Sequence, residues 1–306
     1  MTRGDPSRVA DVQGRQARHI LDFYAASGTM TSAGGHATAL REAPDAIAAL
    51  AGIAQGLLLH EHWAPAYGVA LSTERRAESH IRPVERMLDQ LLARDNRPLA
   101  VVRPVGERLV CVCRHFTLLV VALLRAKGMP ARARCGFGAY FEPGRYIDHW
   151  VCEYWDEAEG RWRLVDAQID ELQRDKLKPD FDLIDVPRDR FLVAGDAWAL
   201  CRGDQADPAA FGIFDEGGLW FIAQNMIRDL AALNKVEMLP WDVWGAMPRP
   251  ADALTEDRLA RFDRLAALTR APDAAFAELH EIYESDDGFR VPANVFNAVL
   301  QRMETL

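Results

Sequence analysis

The clearest periodic signal in the chain begins at Phe116. Phe116, Leu119, Val120, Leu123 and Leu124 stand at i, i+3, i+4, i+7 and i+8, the stripe of an amphipathic helix. Gly128 and Pro130 end it, because glycine closes a helix in the left-handed conformation and proline cannot continue one. The period then changes. Trp150 to Trp155 and Trp162 to Asp166 are rich in aromatic and β-branched residues, with the turn-prone stretch 156–160 between them. That composition predicts a β-hairpin.

Helical patterning returns on both sides. Upstream it predicts helices over 16–26, 43–59 and 83–93. The last has a stripe of Val84, Met87 or Leu88, Leu91 and Leu92, with Pro83 in its first turn. Residues 29–35 read as a small-residue loop and 94–106 as a connector. Downstream, 176–187 is an extended link, followed by helices over 188–201, 218–233, 256–268, 272–283 and 291–303. Ser285, Asp286, Asp287 and Gly288 form a turn that lacks the ligand series of a calcium loop.

These elements predict an α+β protein: a small antiparallel sheet with the Cys113 helix packed on it, wrapped by N- and C-terminal helical regions. Three regions are expected, a helical one over 1–96, a core over 97–175, and a mostly helical one over 176–306 packed on that core. With 306 residues, 49% of them hydrophobic, the chain can bury one large core or two modest ones. A net charge of −9 argues against a nucleic-acid partner, which calls for a basic face. Five cysteines are an odd number in a chain too long to need staples, so reduced thiols and a cytoplasmic setting are expected. No apolar stretch at the start marks an export signal and no run approaches a membrane span, so no membrane association is expected.

One cysteine, one histidine and one aspartate stand out against this frame. Cys113 falls at or just before the first turn of the predicted helix, where unpaired N–H groups and the positive dipole end stabilise a thiolate. The basic Arg114 beside it pushes the same way. In the hairpin, a turn that sets Trp155 opposite Gly160 also sets Val151 opposite Leu164 and His149 opposite Asp166. Directly opposed side chains share a face at about 5 Å between Cβ atoms. Asp148 is nearer in sequence, but neighbours on a strand point to opposite faces. Cys113, His149 and Asp166 therefore have the order of an activated nucleophile, its base, and a group that orients the base. Cys111 is a rival thiol outside the helix start, and His115 reads as a first-turn residue.

The same stretch resembles the transglutaminase-like superfamily, a papain-related group of cysteine enzymes. The resemblance lies in Cys113-Arg114-His115-Phe116-Thr117 at a helix start, the helix end GMPAR, the strand GFGAY, His149-Trp150-Val151 with its hairpin, and Trp162-Arg163-Leu164-Val165-Asp166. It implies a Cys–His–Asp site that forms a thioester with an amide carbonyl and passes the acyl group to water or to an amine. The expected activity is hydrolysis of a peptide or a small amide or ester. The alternatives are transglutaminase-type transfer to an amine acceptor and a non-catalytic interaction protein that keeps the fold. No cofactor or metal is expected, and the oligomeric state is left open.

Four further features bear on the site. His60 and His62 flank Glu61 as a tempting metal pair, yet no second ligand set with metal spacing accompanies them. The resemblance implies an oxyanion donor upstream of the cysteine, for which His62, Trp63 and Arg103 are open choices beside the Cys113 backbone N–H. Gly136 and Gly138 lie in a strand-like run with no helix after it, so they mark a bulge or close approach and not a phosphate turn. Trp220, Trp241 and Trp244 read as packing anchors, with a cap over the cleft as the functional alternative.

Overall fold

A computed structural model describes residues 6–306. Its helices, in chain order, are α1 (Pro6–Ala25), α2 (Ala37–Arg41), α3 (Ile47–Leu57), α4 (Thr73–Arg76), α5 (Val84–Arg94), α6 (Cys113–Ala126), α7 (Glu171–Leu177), α8 (Ala194–Arg202), α9 (Leu219–Leu233), α10 (Glu256–Arg270) and α11 (Phe276–Ser285). The strands are β1 (Leu58–His60), β2 (Leu109–Cys111), β3 (Ala131–Gly138), β4 (Tyr146–Asp156), β5 (Arg161–Val165), β6 (Phe191–Val193), β7 (Phe211–Ile213), β8 (Glu216–Gly217), β9 (Asp242–Val243), β10 (Asn294–Asn297) and β11 (Arg302–Thr305). The described residues are thus mixed α+β with three sheets.

The central sheet runs β6-β3-β4-β7-β8, with β5 also on β4. Its strands are antiparallel except for β7, which pairs parallel with β4 at Tyr146 and Ile147. β1 and β2 form a separate parallel pair. The expected antiparallel sheet is therefore corrected at β7, and β1–β2 is a further pair outside it. In each case the chain between the partners is long enough for a crossover, which a parallel pairing needs.

β3 covers one edge of β4 from Ile147 to Tyr154. β7 and β5 take the ends of the other edge, at Tyr146–Ile147 and at Cys152–Asp156. Residues 148–151 on that edge pair with no strand among the described residues. One face of the sheet, with Cys135, Phe137, Trp150 and Cys152, joins α6 and α9 in the main apolar core. The opposite face carries Val151, which clusters with Leu164, Val186, Phe191 and Val193.

Some sequence expectations fail for local reasons. Residues 291–303 form no helix; β10 and β11 make a hairpin that hooks onto β9. The buried Asn297 takes the N–H groups of Val299 and Leu300 on its side-chain oxygen, and Gln301 adopts a positive φ of 51°. Val299 and Met303, within that range, each stay 59% exposed. The predicted helix over 188–201 begins only at Ala194, after the strand β6. The helix over 43–59 likewise gives way to β1.

Candidate active site

Cys113 is the first residue of α6. The helix begins there because its N-cap position is tied down by its own first turn. The His115 Nδ1 accepts the Val112 N–H at 3.3 Å, while Nε2 lies 2.8 Å from the Ile81 carbonyl. His115 is fully buried, and burial with the neighbouring Arg114 charge pushes its pKa down to about 3. It is a structural residue, as its first-turn position implied. Arg114 departs from expectation. Its guanidinium donates to the carbonyls of Arg82 and Glu237, so it serves as a brace between segments.

The backbone amides of Trp150 and Arg114 favour the thiolate of Cys113. Trp150 lies in the unpaired stretch of the β4 edge, so the helix start fills a gap that a strand would otherwise occupy. Burial, then the Asp148 carboxylate, push the thiol well above its ordinary pKa despite those two N–H groups. Burial thus favours the thiol, against the direction of the dipole argument. Cys111, two residues earlier, is wholly buried at the end of β2, beside His60.

β4 and β5 meet two residues out of the expected register. Trp155 pairs with Trp162, Glu153 with Leu164 and Cys152 with Val165. The turn keeps its length but lies one residue later, at 157–160, because Asp156 gathers the Ala158 and Glu159 N–H groups and Gly160 takes a φ of 60°. An even offset keeps every side chain on its face. His149 and Asp166 are diagonal neighbours instead of direct ones, and His149 Nε2 still lies 2.9 Å from Asp166 Oδ2.

Asp166 gathers three donors. Besides His149 it accepts the Tyr140 hydroxyl at 2.8 Å and the Gln168 N–H at 3.0 Å. Burial alone would raise its pKa, but the His149 charge and these hydrogen bonds outweigh it and hold the carboxyl below its ordinary range. With Nε2 committed, Nδ1 is the ring nitrogen left for a second partner. Phe141 stands edge-on to the imidazole at 4.8 Å. Asp148 faces the other way, as alternation requires, and accepts from Asn225 at 2.7 Å.

The glycines of β3 have a close-approach role. Gly136 is paired with His149, and a Cβ there would fall 2.1 Å from the Leu192 carbonyl oxygen of β6. At Gly138 a Cβ would meet the Phe141 ring at 2.7 Å. Both absences of a side chain let neighbours close around the imidazole.

Of the upstream candidates, Arg103 is buried and donates to the carbonyls of Asp95, Arg97, Pro98 and Val101, so it braces its own loop. Trp63 is half-buried and His62 exposed. A buried residue that sequence reasoning passed over as a donor is His60. It is buried, ends β1 beside Cys111, and feels the charge of His149, while burial above all drives its own pKa well down. The one sequence signal was its place at the end of the apolar run Leu57-Leu58-Leu59. Beside it Gln55, Tyr67, Phe116, Gln168 and Gln173 line a crevice too tight to hold a water molecule. The His60 and His62 rings are 5.4 Å apart, and no cluster of three metal-ligating side chains occurs among the described residues.

Trp244 is buried with its indole N–H on the Phe289 carbonyl, Trp241 lies 5.0 Å from the His80 ring, and Trp220 packs on Phe221. These contacts are those of packing anchors. No described helix is long and apolar enough to cross a membrane.

Residues 84–167 match the family model of the transglutaminase-like superfamily. The matched segment runs from the first turn of α5 to just past β5, and contains Cys113, His149 and Asp166. Cysteine-based catalysis is the general activity that this family suggests, although some of its members are non-catalytic. No curated protein and no solved structure matches the chain.

Proposed function

We propose that this transglutaminase-like protein is a cysteine-dependent amide or peptide hydrolase working through a thioester acyl-enzyme on Cys113. The observation that carries the reading is the buried 2.9 Å contact of His149 with Asp166. It fixes the imidazole by one nitrogen and leaves the other for a proton.

The chemistry starts from the Cys113 thiol. As the sulfur attacks the carbonyl carbon, the thiol proton moves to His149 Nδ1, a transfer that Asp166 favours by stabilising the imidazolium. The new S–C bond makes a tetrahedral oxyanion, for which the Cys113 N–H is the backbone donor and His60 a candidate side-chain donor. Collapse breaks the C–N bond, and Nδ1–H gives its proton to the departing amine. Water, deprotonated by the same nitrogen, then cleaves the thioester and restores the thiol. Because His149 is only 2% exposed, a bound amine could replace water as acceptor, which is the second reading.

Incubation with p-nitrophenyl acetate followed by peptide mapping tests this. Acetyl on Cys113 in the wild type and none in His149→Ala is the expected result. Acetyl spread over several cysteines, or none at all, leaves a non-catalytic protein. Adding a primary amine then separates hydrolysis from transfer by the product formed.

A further inference from the structure

A cavity of about 430 Å³ lies against the open end of the β10–β11 hairpin, and neither Cys113, His149 nor Asp166 borders it. Its size is that of small-molecule sites in proteins. The loop after α1 contributes Met30, the segment after α9 Val236, and the lead into β10 Val291 and Pro292. Those walls are apolar. Arg82, just ahead of α5, and Tyr283 of α11 add a guanidinium and a phenol.

Both polar groups have hydrogen-bonding capacity to spare. Tyr283 is 5% exposed, and its hydroxyl oxygen accepts the Val291 N–H at 3.4 Å. Burial pushes its pKa up to about 12, so the phenol keeps its proton. That proton has no acceptor among the described residues, an unmet donor that costs free energy in an apolar wall. Arg82 holds Asp242 through Nε and Nη2 at 2.9 and 2.6 Å, and Glu304 through Nη2 at 2.8 Å. Its Nη1 makes no hydrogen bond among the described residues and is not sealed from solvent.

Charge decides what can use these donors. Arg82 and Arg302 face Asp242 and Glu304, two cations against two carboxylates. Burial would raise the Glu304 pKa, but hydrogen bonds from Arg302, Asn297 and Arg82 outweigh it and hold it down to about 2. The cluster is balanced as it stands. A further anion would find no unmatched cation there, and a further cation no unmatched carboxylate.

We propose that this cavity is a second ligand site, which takes an uncharged molecule with an apolar body and one acceptor oxygen, such as a ketone, ester or amide carbonyl. The oxygen accepts the Tyr283 hydroxyl, with Arg82 Nη1 as a donor at the rim. The body displaces water from Met30, Val236, Val291 and Pro292. A wholly apolar molecule leaves the buried phenol unmet, and an anionic one gives up its hydration without gaining a cation. The site stands apart from the chemistry at Cys113 and does not depend on it.

Equilibrium dialysis of the full chain against 2-acetylnaphthalene and against 2-naphthoate tests this. The probes share a ring system and differ in carrying a ketone or a carboxylate. One equivalent of the ketone should bind, with the carboxylate on the order of tenfold weaker because its charge is desolvated unpaired. Tyr283→Phe should weaken ketone binding about fivefold, the share of one hydrogen bond. Val291→Trp should fill the space and remove binding; if that variant does not fold, the two probes on wild type and Tyr283→Phe still decide. Cys113→Ala should bind the ketone as wild type does. No binding by wild type, a carboxylate bound as tightly as the ketone, an unchanged affinity in Tyr283→Phe, or a loss in Cys113→Ala overturns the proposal.

Discussion

β4 carries two buried polar clusters four residues apart on one face, and they are built on opposite principles. Around Glu153 every charge is matched. Its carboxylate meets Arg132 at 2.5 Å, Arg134 at 3.3 Å and Arg188 at 2.5 Å. Arg134 also pairs with Asp229 at 2.8 Å, and Arg132 with Asp273 at 2.6 Å. The Arg132 guanidinium further lies 4.0 Å over the Trp162 ring. Around His149 the matching is incomplete: one imidazole nitrogen is held and one is left, and burial pushes up both the Cys113 thiol and the nearby Asp148 carboxyl. A satisfied cluster fixes the strand, while groups whose protonation is displaced from the ordinary are the raw material of acid–base chemistry.

The comparison is sharpest if the two clusters can be broken separately. Cys113→Ala should abolish acetylation by p-nitrophenyl acetate while changing stability by only about 1 kcal/mol in urea unfolding. Glu153→Ala should do the reverse, costing about 3–5 kcal/mol because it strands buried guanidinium groups; any activity loss should track the folded fraction. Equal stability of these two variants would erase the distinction. Asp166→Asn should lower the acylation rate on the order of 10²–10⁴-fold with the fold intact, since the base loses its orienting partner but is still present. Tyr140→Phe removes one donor from Asp166 and should cost roughly tenfold, the worth of one hydrogen bond to a charged group. Both are read from acylation kinetics.

Acid sets the clusters apart by sign. The Arg132, Arg134 and Arg188 charges outweigh burial and hold Glu153 well below its ordinary pKa. Its stabilising share is therefore present above the unfolded value of about 4 and lost as pH falls below it. Asp148 is raised by burial, so its share is present at low pH and lost as pH rises through its folded pKa. Asp148→Asn should therefore stabilise the protein at neutral pH relative to its effect in acid. It should also speed Cys113 alkylation severalfold by removing a negative neighbour, the smallest of these effects. A slower alkylation would mean that Asp148 helps the thiol.

Much of this arrangement is legible in the sequence where contacts are local. The helix after Cys113 follows from the spacing of Phe116 to Leu124, and the hairpin from its aromatic strands. The sharing of a face by His149 and Asp166 survives a wrong register because the error is an even number of residues. What escaped is non-local or conditional. His60 reaches the site only through the parallel pairing of β1 with β2, across some fifty residues of chain. Tyr140 was hidden in an irregular turn, and no periodicity marks a residue whose value lies in one hydroxyl. The direction of Arg114 depended on the Arg82 and Glu237 carbonyls, which come from distant segments. The last strands were misread because Asn297 and Gln301 stop a helix through side-chain and backbone choices that an apolar count ignores.

Gly136 shows how far mutational tolerance and reactivity diverge. It sits opposite His149 with β6 pressed against its Cα, so even alanine must push apart the strands that hold the imidazole. In a saturation library this position should be purged as strictly as Cys113, although it contributes no functional group. A tolerance map of this protein would therefore score the emptiest residue in the sheet beside the most reactive one. Only a readout that separates folded protein from acylated protein would tell the two apart.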